Sequence, residues 1–333
     1  MKKITNLQTT KKGLFGVCTF SPDKKVFFKQ CNYEIDDEIN GYDFVKDRYK
    51  VPKRLYYNKK TKFISYEYND NLFNKTLHNG LYNGCEFDID LIVDMLTKPF
   101  ENMVKIDEEI CVNSKFFKQR LNFIDNYLNL DNVLFDKNII IDGKDYGTFR
   151  QMLIKIKNAI SLKKKVYSII SQGDPTDLNI GVGAEISDYE VAGQNSAIGE
   201  IAIFLSCFIL NSYYYYIKYV NSSHKLFTDT LNKYSSFIAP IYSVVGSELY
   251  IKMNGFIPQK NKELILKYLD KIKDYEMLNN NDNLGKYLAF RFISPVNLAS
   301  INEEKDLIAL IFTAVIFSKV NSINDIISYI REV

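Results

Sequence analysis

A chain of 333 residues, 46% hydrophobic and 14% aromatic, can fill two sizeable cores and is not a disordered or fibrous protein. Its net charge of +3 comes from scattered rather than clustered groups, so no basic face for nucleic acid stands out, and its apolar runs are too short to span a bilayer. Five cysteines without metal spacing, and only two histidines, His78 and His224, leave a zinc centre or a serine–histidine triad short of side chains; the expectation is a reduced, cytoplasmic protein without a signal peptide.

Taken in chain order, Lys11-Lys12-Gly13-Leu14-Phe15-Gly16 places two glycines and two lysines in a turn before the first clear strand. Residues 15–20 and 26–30 are β-branched and aromatic runs separated by Ser21-Pro22-Asp23-Lys24-Lys25, which predicts a hairpin. Residues 36–49 carry Ile39, Tyr42 and Val45 at helical spacing with acidic groups early, and Val51-Pro52 ends that helix. Residues 55–57 and 63–68 form a second hairpin, and Asn69-Asp70-Asn71 marks a hinge. Helical periodicity follows over 87–96, 115–128, 146–164, 197–220, 262–275 and 304–318, with 131–142 a short strand or irregular crossing. The basic run Lys163-Lys164-Lys165 reads as a solvated helix end, and Asn279-Asn280-Asn281-Asp282-Asn283 as a surface loop.

Within this pattern lies Gln172-Gly173-Asp174-Pro175-Thr176-Asp177-Leu178-Asn179, with Asp188-Tyr189-Glu190 nine residues on. An aspartate, four residues, an asparagine and a second aspartate is the spacing that phosphoryl transfer uses, because that chemistry rests on positioning and charge neutralisation. Asp174 would take the proton of an attacking alcohol. Asn179 and Asp188 would offer magnesium the oxygen ligands a hard cation prefers. Residues 180–186, with Gly181 and Gly183, suit a tight hairpin returning Asp188 beside Asn179. An apolar strand at 167–170 precedes the loop and a polar-capped helix from Ser196 follows it.

This segment resembles the catalytic region of the aminoglycoside phosphotransferase and choline kinase-like small-molecule kinases. Their histidine-led H-G-D is Gln172-Gly173-Asp174 here, their N-I is Asn179-Ile180, and their I-D-[FWY]-E-x-A-G-x-N is spread over Ile186-Ser187-Asp188-Tyr189-Glu190-Val191-Ala192-Gly193-Gln194-Asn195. Their later D-[LI]-A corresponds to Glu200-Ile201-Ala202. The resemblance implies an α+β, bilobal protein kinase-like fold: an antiparallel sheet lobe over residues 1–70 with one helix, and a mainly α-helical lobe over 71–333 holding the catalytic loop and the acceptor pocket. It further implies Lys29 as the lysine on ATP phosphates, paired with Glu38 (Glu34 or Asp37 being alternatives), Gly13 and Gly16 in the loop over those phosphates, and adenine against the backbone of Tyr66, Glu67 and Tyr68. The implied activity is transfer of the ATP γ-phosphoryl group, with magnesium, to a hydroxyl of a small molecule: an aminoglycoside, choline or ethanolamine, or a sugar-like alcohol. Tyr213-Tyr214-Tyr215-Tyr216 could face that acceptor or simply pack, and Asp177 and Glu190 could attract a cationic one or serve structure. Glutamine at 172 and the sparse glycine loop also admit a nucleotide-binding or interaction protein that has lost turnover.

Overall fold

The computed structural model describes residues 8–13, 16–162, 164–210, 215, 218–219, 240–253, 257–279, 283–294 and 297–332. The chain forms two compact units: one is the stretch up to Pro99 together with Ile170–Gln194, the other Phe100–Ile169 together with the described residues from Asn195 onward.

In the first unit, β1 (Gln8–Gly13), β2 (Gly16–Phe20), β3 (Val26–Cys31), β4 (Arg54–Asn58) and β5 (Phe63–Glu67) make one antiparallel sheet in the order β1-β2-β3-β5-β4. The β2–β3 turn is closed by Ser21, whose hydroxyl accepts from the N–H groups of Lys25 and Val26 at 3.1 and 3.0 Å. Between β3 and β4 runs α1 (Ile35–Val45), with Asp36, Asp37 and Glu38 in its first turn, where the helix dipole favours negative charge. Its buried stripe is Ile35, Glu38, Ile39, Tyr42 and Val45, the three- and four-residue spacing of one helix face. The helix ends at Val45, short of the expected Tyr49, because Arg48 and Tyr49 both donate to the Val45 carbonyl and tighten the last turn.

The core of this unit joins distant parts of the sequence. Cys31, Ile35, Ile39, Tyr42, Val45, Ile64 and Tyr66 pack with Ile186, Tyr189 and Ala192. The rings of Tyr42, Tyr66 and Tyr189 form a triangle with centroids 5.3 to 5.7 Å apart. Gly41 on α1 makes this approach possible, since a Cβ there would fall 1.8 Å from the carbonyl oxygen of Tyr189. Three further helices follow the sheet: α2 (Asp70–Phe73), α3 (Leu77–Tyr82) and α4 (Ile89–Thr97). The asparagine-rich stretch read as a hinge is a helix start, with the Asn69 side chain accepting from the Asn71 N–H at 3.0 Å.

The second unit is mainly helical. It contains β6 (Val104–Asp107), α5 (Val112–Gln119), α6 (Leu121–Leu128), β7 (Asn138–Ile141), β8 (Lys144–Thr148), α7 (Phe149–Ser161), most of β9 (Lys165–Ser171) and α8 (Ala197–Leu210). Later come a hairpin, β11 (Ile241–Val245) and β12 (Glu248–Lys252), numbered after the short β10 (Gly193–Ser196), and helices Gln259–Ile272, Leu284–Ile293, Glu304–Phe317 and Ile323–Glu332. The continuous helix expected over 115–128 is broken at Arg120, whose guanidinium donates to the Ser294 carbonyl at 2.7 Å. Residues 138–148 are a hairpin, and β12 adds in parallel to β7 to give the sheet order β11-β12-β7-β8. α7 starts three residues later than expected, at a capping box between Thr148 and Gln151. Every residue of α8 is buried, and Phe204 on it stacks on Tyr268 at 4.0 Å.

Among the described residues no helix is long and apolar enough to cross a membrane, and the five cysteines are unlinked. Of the tyrosine run, Tyr213, Tyr214 and Tyr216 lie outside the described residues, while Tyr215 is buried. Residues 14–15, Lys163, 211–214 and 280–282 also lie outside them. Lys164 is not a solvated helix end: its ammonium donates to the Ala159 carbonyl and lies over the Tyr287 ring at 4.8 Å.

The contact at Gly41 has a direct test. Gly41→Ala should destabilise the protein by about 2 kcal/mol or more, as overpacking against backbone does, despite the better helix propensity of alanine. Urea unfolding followed by circular dichroism should show a lower midpoint, whereas a gain in stability would mean that α1 and Tyr189 are not in this contact.

Candidate functional site

The site is built around Glu38. Its side chain is 1% exposed and accepts from the Lys29 ammonium at 2.8 Å and the Tyr33 hydroxyl at 2.8 Å. It also accepts from the Tyr66 hydroxyl at 2.9 Å and the Tyr189 N–H at 3.2 Å. Burial, reinforced by the Glu38 charge, pushes the phenols of Tyr33 and Tyr66 far above their ordinary range, so both remain donors. Lys29 reaches this carboxylate because β3 is central in the sheet, with its Lys29 position paired to Cys18 on one side and Ile64 on the other. The other acids considered for Lys29 lie elsewhere: Glu34 is exposed and pairs with Lys62 at 2.8 Å, and Asp37 is exposed.

Lys29 also forms an ion pair with Asp188. Burial alone would lower the Lys29 ammonium, but the charges of Asp188 and Glu38 outweigh it and hold its pKa well above the ordinary lysine value. Asp188 keeps a side chain 39% exposed and sits at φ +62°, a left-handed conformation that aspartate tolerates better than most residues. Glu190 lies in the same field. Burial pushes its carboxyl up to about 8, the Asp188 charge adds to the rise, and Lys29 opposes it.

The loop that carries Asp174 is held from within. Gln172 donates through its amide nitrogen to the carbonyls of Ser187 and Asp188 at 3.0 and 2.6 Å, and its oxygen accepts from the Asp174 N–H at 2.8 Å. One neutral amide therefore ties the start of the loop to the strained backbone at Asp188. Gly173 beside it has φ +85°, which its lack of a Cβ permits. Asn179 donates to the Asp174 carbonyl at 3.0 Å and to its carboxylate at 3.1 Å, closing the loop on itself. The tight hairpin is present, with Ile180 bridging Ile186, Gly181 N–H on the Glu185 carbonyl, and Ser187 N–H on the Asn179 carbonyl at 2.9 Å.

The remaining expected residues fall as follows. Gly13 and Gly16 pair with one another across the β1–β2 ladder. Tyr66 turns its ring into the core, and the N–H groups of Glu67 and Tyr68 donate to the carbonyls of Lys53 and Lys25 at 2.8 and 2.9 Å. Glu200 is buried in the first turn of α8. Asp177 is buried against His78 at 2.7 Å and so is not open to an acceptor; its use is structural. That pair, and Tyr33, escaped the sequence reading. Tyr33 precedes α1 and stands five residues before Glu38, an offset no helical spacing announces, and His78 and Asp177 are linked only by tertiary structure.

No protein-family model matches the sequence, and no curated protein does. Solved structures do match. A choline/ethanolamine kinase family protein from Mesorhizobium loti aligns with a TM-score of 0.51 and 10% identity, over 99% of this chain and 94% of its own. The choline kinase LicA from Streptococcus pneumoniae aligns with a TM-score of 0.42 and 9% identity over 94% of both chains. A spectinomycin phosphotransferase in complex with ADP and spectinomycin gives 0.36 and 10% over 92% of both. The likeness to the first of these is one of fold, and this chain accordingly has an α+β, kinase-like fold similar to that of the choline/ethanolamine kinase family protein.

Proposed function

We propose that the chain is an ATP-dependent phosphotransferase that moves the γ-phosphoryl group to a hydroxyl of a small molecule. The observation that carries this reading is the Glu38–Lys29–Asp188 chain of charges within one compact unit that also contains Asp174 bonded to Asn179. A buried lysine with two carboxylate partners is held charged and in place, as a phosphate-binding cation must be.

In this reading Asp174 orients the acceptor hydroxyl and takes its proton as the oxygen attacks the γ-phosphorus and ADP leaves. Lys29 binds the phosphates, and Glu38 fixes Lys29. Gly13 and Gly16 belong to the turn over the phosphates. Adenine lies along Tyr66–Tyr68 and is read through carbonyl oxygens, since the Glu67 and Tyr68 N–H groups are already bonded. The donor set suits magnesium: the Asp188 carboxylate and the Asn179 amide oxygen are hard ligands, and the Asn179 nitrogen is committed to Asp174. In this reading the ion would complete its shell with phosphate oxygens and water. When bound, that ion supplies neutralisation of the phosphate charge. The carboxylates of Asp174 and Asp188 suit a cationic alcohol such as an aminoglycoside, choline or ethanolamine more than a neutral sugar. Gln172 supports turnover rather than its loss, because all three of its hydrogen bonds are made.

Thermal unfolding with increasing MgATP should show a rising midpoint, with about 2.7 kcal/mol of stabilisation at a hundredfold excess over Kd. In Asp188→Ala the magnesium-dependent part of that rise should vanish; a rise indifferent to magnesium and to this substitution would remove the metal role. Asp174→Asn should keep nucleotide stabilisation but lower phosphoryl transfer to a responsive alcohol by about a hundred- to ten-thousandfold. Full transfer activity in that variant would exclude Asp174 as the base.

A further inference from the structure

We propose that His78 is a positioning residue for the loop carrying Asp174 and Asn179, acting through Asp177; this rests on the phosphotransferase reading of that loop. The segment 75–78 clasps the loop through its backbone. Leu77 N–H donates to the Ile180 carbonyl at 2.7 Å, His78 N–H to the Asp177 carbonyl at 3.0 Å, and Val182 N–H to the Lys75 carbonyl at 2.9 Å, while Thr76 bridges Gly181.

The imidazole adds a side-chain bond at the centre of this clasp. Its Nδ1 lies 2.7 Å from Asp177 Oδ2, with the two side chains 3% and 2% exposed, and the Tyr82 ring packs beside it at 4.9 Å. Asp177 is well placed to transmit the restraint, because it stands between the proposed base and the proposed metal ligand. Thr176 N–H donates to the Asp174 carbonyl at 2.7 Å and Asn179 N–H to the Thr176 carbonyl at 3.0 Å, so the loop is one tight coil. Loss of the imidazole would take one hydrogen bond from a carboxylate buried at the middle of this coil and loosen its hold on the segment 75–78. His78 is far from Asp174 in sequence and touches no reacting atom in this reading. Its effect is on the geometry of the residues that do.

The test uses the full chain and MgATP with an alcohol panel, together with amide hydrogen exchange. In His78→Ala, kcat for ADP formation should fall about tenfold or more and KM for MgATP should rise, because Asp174 and Asn179 share the loosened loop, and amides of residues 174–184 should exchange faster by a similar factor while those of β3 and β5 do not. His78→Asn puts an amide nitrogen where Nδ1 was and should restore both readouts; His78→Gln puts it where Nε2 was and should restore neither. Equal behaviour of the asparagine and glutamine variants, or unchanged loop exchange in His78→Ala, would overturn the proposal. If His78→Ala does not fold, the asparagine–glutamine contrast still decides. If the wild type forms no ADP with any alcohol, the phosphotransferase reading fails, and loop exchange alone decides the role of His78.

Discussion

The carboxylate of Glu38 is the interaction on which the first unit depends. An ionised group out of water is tolerated only when its oxygens are filled, and here an ammonium, two phenols and a backbone N–H fill them. Those donors come from β3, from the segment entering α1, from β5 and from the residue after Asp188. One charge thus gathers four separated pieces of chain, and loss of a single member would leave the others as uncompensated buried polar groups, at about 3–5 kcal/mol for a broken buried pair. The tyrosine triangle supplies the apolar wall that keeps water from relieving that demand.

The loop from Gln172 to Asp188 is stabilised by a different principle. It is made of short backbone bonds and one strained residue, Asp188, whose left-handed conformation is held on one side by the ion pair with Lys29 and on the other by Gln172 on its carbonyl. The Gln172 side chain donates to the Ser187 and Asp188 carbonyls and accepts from the Asp174 N–H, so one amide joins both ends of the loop.

Much of this was legible because the signals are local. The D-x-x-x-x-N spacing, the glycines of the 181–183 turn and the aromatic strand runs each act over a few residues, and the β3 and β5 strands fell where alternation and turn residues put them. Asp142-Gly143 was a readable hairpin turn that helical periodicity nearby obscured; both residues have positive φ, as a two-residue loop requires. Other features had no local signal. At the break the Arg120 guanidinium meets the Ser294 carbonyl from a distant part of the chain, and β11, made of five residues that are mostly exposed, carries no alternation that distinguishes it from a loop. The His78–Asp177 pair spans almost a hundred positions, and neither residue stands in a motif that announces the other.

The first unit is discontinuous: its sheet and α1 lie in the first hundred residues, but Ile186, Tyr189 and Ala192, which close its core, come only after the chain has passed through part of the second unit. During synthesis the nascent sheet and α1 therefore leave the ribosome with the side of their shared core that Ile186, Tyr189 and Ala192 close still open, and with Glu38 lacking its Tyr189 donor. A fragment cut after residue 99 would carry that same open face permanently, so the amino-terminal segment is not a module that could be moved to another protein, and a nonsense change in the intervening stretch would release an aggregation-prone product rather than a small folded one.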